Sequence, residues 1–120
     1  MQQKALSIRP FIGSKNFETS RNFYADLGCI EVKLSSQLSL FTLNSACFYL
    51  QDAYVKDWID NTMLFLEVEN VDEYWKYLLS LQLTTKYAGV KLIKPTVLNW
   101  GKECFLHDPS GILWHIGQFN

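Results

Sequence analysis

Apolar positions along this chain recur with two periods, and the two periods follow one another in an order that appears twice. From Ala5 to Ile12 the alternation is twofold, with Leu6, Ile8 and Ile12 on one face and Ser7, Arg9 and Phe11 on the other, which predicts a strand covered on one side. Asn16 then offers a helix N-cap, Glu18 lies in the first turn, and Phe17, Arg21, Tyr24 and Leu27 keep helical spacing up to Gly28. Three short strands are predicted next, over Ile30–Leu34, Leu38–Leu43 and Ala46–Gln51, separated by Ser-Ser and Asn-Ser turns.

The second half repeats this order. Met63 to Glu69 reads as a strand with Leu64, Leu66 and Val68 opposite Met63, Phe65 and Glu67. Asn70 caps a helix whose apolar stripe is Tyr74, Tyr77, Leu78 and Leu81, and strands follow around Val90–Ile93, Glu103–His107 and Ile112–Gln118. Asn16 and Asn70 are separated by the same interval as Arg9 and Met63, so the repeat is in register through strand, loop and cap. The reading is an α+β fold of two tandem βαβββ modules forming a concave mixed sheet with helices on the outer face. Module one spans about residues 4–52, a linker 53–61 and module two 62–120, all within a single domain.

The final hairpin fixes strand parity. Asp108, Pro109 and Gly111 suit a type I turn, and Ile112, Trp114 and Ile116 alternate with Leu113, His115 and Gly117. Trp114 therefore falls with the core-facing residues and His115 with the opposite face. That face is expected to gather Arg9, Phe11, Met63, Phe65 and His115 on a shared concave surface.

Composition narrows the function classes. At 120 residues with 48% hydrophobic and 19% charged positions, the chain can bury a core without disulfides. A net charge of −1 with scattered Lys and Arg argues against a nucleic-acid partner, and the lack of a long apolar run argues against a membrane span. The first residues lack the apolar core of a signal peptide, and Cys29, Cys47 and Cys104 fit reduced, buried thiols, so a cytoplasmic location is expected.

Three segments carry a family resemblance: Ser20-Arg21-Asn22-Phe23-Tyr24 with Leu27-Gly28, then Phe65 to Asp72, then Trp100-Gly101 with Asp108-Pro109-Ser110-Gly111. In their order, and with the repeat, they make the chain similar to the vicinal oxygen chelate superfamily of glyoxalases, bleomycin-resistance proteins and extradiol dioxygenases. The resemblance implies metal ligands on the first and last strands of the modules, and the matching places here hold Arg9, Tyr49, Met63 and His115. Arg9 has no lone pair and Met63 is a soft thioether, so no metal and no cofactor are expected. The character is closest to the metal-free bleomycin-resistance-like proteins, which implies a homodimer whose subunits complete one another's binding crevices.

Arg9, Phe11, Tyr49, Met63, Phe65, Trp100 and His115 are the candidate ligand-binding residues. Trp100 could close the pocket as a stacking lid, with Tyr54 and Trp58 as similar candidates. Arg9 reads equally as a ligand contact or as an ion pair with Glu67 or Glu103. The leading function is metal-independent binding of an aromatic or amphipathic small molecule, an antibiotic among the candidates. The alternative is a glyoxalase- or dioxygenase-like enzyme of the same superfamily, with His115 as base and Arg9 holding an oxyanion if it is metal-free. A third reading is an interaction module that uses its sheet edges only to dimerise.

Overall fold

The structure, a computed structural model, describes residues 2–120. The element order is β1 (Phe11–Ile12), α1 (Phe17–Leu27), β2 (Ile30–Ser35), β3 (Leu38–Leu43), β4 (Ala46–Gln51), α2 (Lys56–Asp60), β5 (Met63–Glu67), α3 (Val71–Ser80), α4 (Leu83–Lys86), β6 (Lys91–Leu98), β7 (Gly101–His107) and β8 (Leu113–Phe119). The strands form two four-stranded mixed sheets, ordered β1-β4-β3-β2 and β5-β8-β7-β6. Each sheet pairs its first and last strands in parallel and the others antiparallel, so the repeat seen in the pattern is also a repeat of topology. Among the described residues no helix is long and apolar enough to cross a membrane.

Both helix starts form where the caps predict. The side chains of Asn16 and Asn70 accept hydrogen bonds at 3.0 Å from the amides of Thr19 and Glu73. Gly28 ends α1 at φ 109°, where a residue with a Cβ would be strained. The two short helices α2 and α4 carry no side-chain cap, which is why the pattern reads their residues as linker and loop.

Two strand predictions are corrected. The first strand is not Ala5–Ile12 but only Phe11–Ile12, and Leu6 and Ile8, expected on the covered face, are 89% and 94% exposed. The alternation there is real, but within one chain the strand pairs with β4 only from the Pro10 carbonyl onward. The second correction concerns β6, which runs to Leu98 instead of ending at Ile93. Its ladder shifts register between Ile93 and Thr96, and Pro95, which has no N–H to give, sits in that irregularity on an edge strand.

One core serves both sheets. Phe41 and Phe48 from the first sheet, Leu106, Trp114 and Ile116 from the second, and Phe23, Tyr24, Leu27, Val71 and Leu78 from the helices are buried together. Phe48 and Trp114 meet edge-on at 5.3 Å between ring centroids, so the inner faces are turned towards each other and the outer faces away from the shared core. The Asp108 turn locks this arrangement. Tyr24 donates to Asp108 Oδ2 at 2.7 Å and accepts from Trp114 Nε1 at 2.9 Å. Asp108 Oδ1 accepts from the amides of Ser110, Gly111 and Ile112, each at 2.9 Å. Burial pushes the Asp108 carboxyl above its ordinary range, and these hydrogen bonds pull the other way.

Candidate functional site

On the outer face of the first sheet the parallel register sets Phe11 beside Tyr49. Their rings stack at 4.6 Å, and Arg9 Nη1 donates to Tyr49 Oη at 3.1 Å with its guanidinium 5.9 Å from the Tyr49 centroid. That hydrogen bond is the main cause of a raised Arg9 pKa. Of the two carboxylates named as ion-pair partners for Arg9, Glu103 belongs to the other sheet and binds His115 there. Around this cluster Ile30, Val32 and Leu34 are 69%, 50% and 52% exposed. This is an apolar outer face that carries the Arg9 guanidinium.

The outer face of the second sheet holds the other candidates. Register places Phe65 of β5 and Phe105 of β7 on either side of His115 of β8, giving one row of rings across three strands. His115 Nδ1 lies 2.5 Å from Glu103 Oε1, and its Nε2 lies 3.4 Å from Met63 Sδ. The Phe105 ring meets the imidazole edge-on at 5.0 Å. Glu103 is only 7% exposed, so the imidazole is paired with a buried carboxyl group. Beyond this row, Trp100, Phe65 and Phe119 form a triangle with centroid separations of 5.2 to 5.9 Å. Gly117 makes room for it, because a Cβ there would meet the Phe65 ring at 2.7 Å and the Trp100 ring at 3.1 Å.

The seven sequence-derived residues therefore form two groups: Arg9, Phe11 and Tyr49 on one sheet, and Met63, Phe65, Trp100 and His115 on the other. No hydrogen bond or ring contact among the described residues joins the groups, so within the chain they lie on two separate outer faces. The reason is the common core, which turns both inner faces together. Trp58 is 70% exposed on α2, and Tyr54 lies under the Lys15 ammonium; neither joins a group. Cys47, expected to be buried, is half-buried on the face of Tyr49, whereas burial pushes the thiols of Cys29 and Cys104 up to about 12 and about 11.

Sequence reasoning also missed two features. Glu103 appeared there only as a partner for Arg9; its odd parity on β7, shared with Phe105, was the signal that it stands beside His115. The second is a groove of about 590 Å³ between the end of α1, the β3–β4 turn and the start of α3. Leu27, Leu43, Val68, Tyr74 and Tyr77 line it, with Glu69 and Glu73 also in its wall. It arises where the two halves meet, which no local pattern announces.

The places that correspond to metal-ligand positions do not fit a hard divalent ion. Arg9 is a cation donating to Tyr49, and Met63 offers a thioether, leaving His115 Nε2 and Met63 Sδ as the pair that converges. Among the described residues no group of three or more His, Cys, Asp or Glu side chains could hold a metal ion.

No protein-family profile matches the chain, and no curated protein sequence matches it. Solved structures do. The bleomycin-binding protein from bleomycin-producing Streptomyces verticillus, complexed with copper(II)-bleomycin, superposes with a TM-score of 0.81 at 16% identity, covering 99% of this chain and 100% of that one. An antibiotic-binding protein from Streptomyces sp. CB03234 gives 0.73 at 18% identity, covering 98% and 100%. Lactoylglutathione lyase from Agrobacterium tumefaciens gives 0.72 at 17% identity, covering 97% and 96%. The chain thus has the fold shared by bleomycin-binding and glyoxalase-type proteins.

Proposed function

We propose that this protein is a metal-independent binder of an aromatic or amphipathic small molecule, working as a homodimer in which the first sheet of one copy and the second sheet of the other wall a common cup. The observation that carries this reading is the pair of apolar outer faces. Besides the first-sheet residues, Met63, Phe65 and Ile93 on the second are 63%, 47% and 46% exposed, and large apolar side chains grouped on an open face mark an interaction site. The extended residues 2–10, with Leu6 and Ile8 exposed, supply a further apolar element for a second copy to cover. A two-fold arrangement would bring Arg9, Phe11 and Tyr49 of one copy towards Met63, Phe65, Trp100 and His115 of the other, building two equivalent cups. The antibiotic-binding structures with this fold support a sequestering role, and an antibiotic is one ligand class for the cup.

The test is a thermal-shift screen with aromatic antibiotics and aromatic metabolites, run with and without EDTA beside sedimentation of the free protein. Ligand at about 100 times Kd should add about 2.7 kcal/mol of stability. A ligand that shifts the melting temperature equally in EDTA, bound by a dimer, supports the proposal. A monomer, or no shift from any aromatic compound, overturns it. The glyoxalase-like alternative draws on one observation, the carboxylate-backed imidazole of His115. Turnover abolished by His115→Ala would favour it.

A further inference from the structure

The structure assigns a second ligand site, for a small organic ammonium ion, to the groove between the end of α1, the β3–β4 turn and the start of α3. None of the seven candidate residues of the cup lines this groove, so the inference stands apart from the small-molecule-binding reading above. The internal repeat shows why the groove is open. The interval that relates Asn16 to Asn70 also relates Lys15 to Glu69 and Ser20 to Tyr74. At the start of α1 the turn from Asp108 to Ile112 occupies the corner, where Ser110 Oγ accepts from the Lys15 amide at 2.8 Å and lies 3.3 Å from Ser20 Oγ. The matching turn of the first half, between β3 and β4, is only Asn44 and Ser45. This shorter turn leaves a groove at the equivalent corner, and Glu69 and Tyr74 stand in its wall.

The lining defines the ligand. A volume of about 590 Å³ lies within the range of small-molecule sites. Leu27, Leu43 and Val68 supply apolar wall, and the Tyr74 and Tyr77 rings meet there edge to face with centroids 5.7 Å apart. Tyr77 Oη donates to the Leu27 carbonyl at 2.8 Å, which ties α3 to the end of α1 and holds one of the two rings in place. The Tyr74 hydroxyl is buried, so what Tyr74 gives the groove is its ring. The charges in the wall are those of Glu69 and Glu73, and none of the described lining residues is basic. Among the described residues Glu69 has no ion-pair partner, and Glu73 has Lys76 at 3.6 Å with both side chains mostly in solvent. An exposed pair of that kind contributes little and leaves Glu73 available. Aromatic rings and unneutralised carboxylates share one complement, a cation carried on an apolar body. A ligand carboxylate or phosphate would be repelled, and a neutral ligand would leave both acids unused. A gap left by a short turn alone would need neither the ring pair nor the carboxylates.

The experiment titrates the full-length protein with phenethylamine and with phenethyl alcohol, which share a ring and chain and differ in the ammonium. Binding is followed by NMR through the ring protons of Tyr74 and Tyr77, with those of His115 as the control for the cup. The expected result is phenethylamine bound roughly fivefold tighter than the alcohol, with shifts at the two tyrosines and an advantage that shrinks at high salt. Glu69→Gln combined with Glu73→Gln should bring the amine down to the affinity of the alcohol. Both side chains are exposed, so the fold should tolerate the change. Equal or undetectable affinities, a preference that survives in the double variant, or shifts at His115 without shifts at the tyrosines would overturn the inference and leave the cup reading standing. A dimer that dissociates in the double variant would give the groove to a basic side chain of a second copy, and would overturn it as well.

Discussion

Two side chains with contrasting surroundings show how much single residues decide here. Tyr24 is fully buried and joins Asp108 to Trp114 through its one hydroxyl. Tyr24→Phe removes no volume to speak of but strands a carboxylate oxygen and an indole N–H, so it should cost about 2 kcal/mol in urea unfolding. Cys47, half-buried on an outer face, should react with Ellman's reagent in the native protein well before Cys29 and Cys104, whose burial keeps them protonated; all three should react after unfolding. Glu31 gives the pH dependence. Hydrogen bonds from Arg21 at 2.6 and 3.1 Å and from Ser39 hold its carboxyl below the ordinary carboxylate value. The folded protein thus binds this proton less readily than the unfolded chain, so the stabilisation is present above the ordinary value and lost as pH falls through the depressed one. Glu31→Gln should flatten the acid side of a melting-temperature profile measured against pH.

At the scale of elements, the two caps allow a matched comparison. Asn16→Ala and Asn70→Ala each remove one acceptor from an orphan amide in equivalent helices, and each should cost about 1 kcal/mol. Their legibility came from local physics: a side-chain oxygen, an amide three residues on, and an apolar stripe behind. Leu38–Leu43 and Ala46–Gln51 were legible for the same reason, since inner Phe41 and Phe48 alternate with outer positions on a half-buried sheet. What could not be read was anything set by pairing across the molecule. The residues before Phe11 alternate correctly yet find no ladder in their own chain, and β6 passes through Pro95 because β7 holds it on one side. The site shows the same divide. Parity put His115 and Met63 on one face, but only the register of β5, β8 and β7 puts Phe65 and Phe105 beside the imidazole and Glu103 within its reach.

Considered whole, the molecule is two copies of one topology closed over a single core. Tyr24 reaches Phe41, Phe48 and Trp114 as well as Asp108, so neither half owns its interior. Tryptophan fluorescence and far-ultraviolet circular dichroism should therefore report one coincident unfolding transition, and a midpoint rising with protein concentration would mark the dimer. The Asp108 turn has a further consequence, for synthesis. Its clasp joins positions 24 and 108, and the Lys15 amide donates to the Ser110 hydroxyl, 95 positions further along the chain. A ribosome releases α1 and the first sheet long before these partners exist. Until then the Tyr24 hydroxyl and the inner faces of Phe41 and Phe48 lack their cover. The nascent first half is then a candidate client for chaperones, and the emergence of the Asp108 turn and β8 determines when it stops being one.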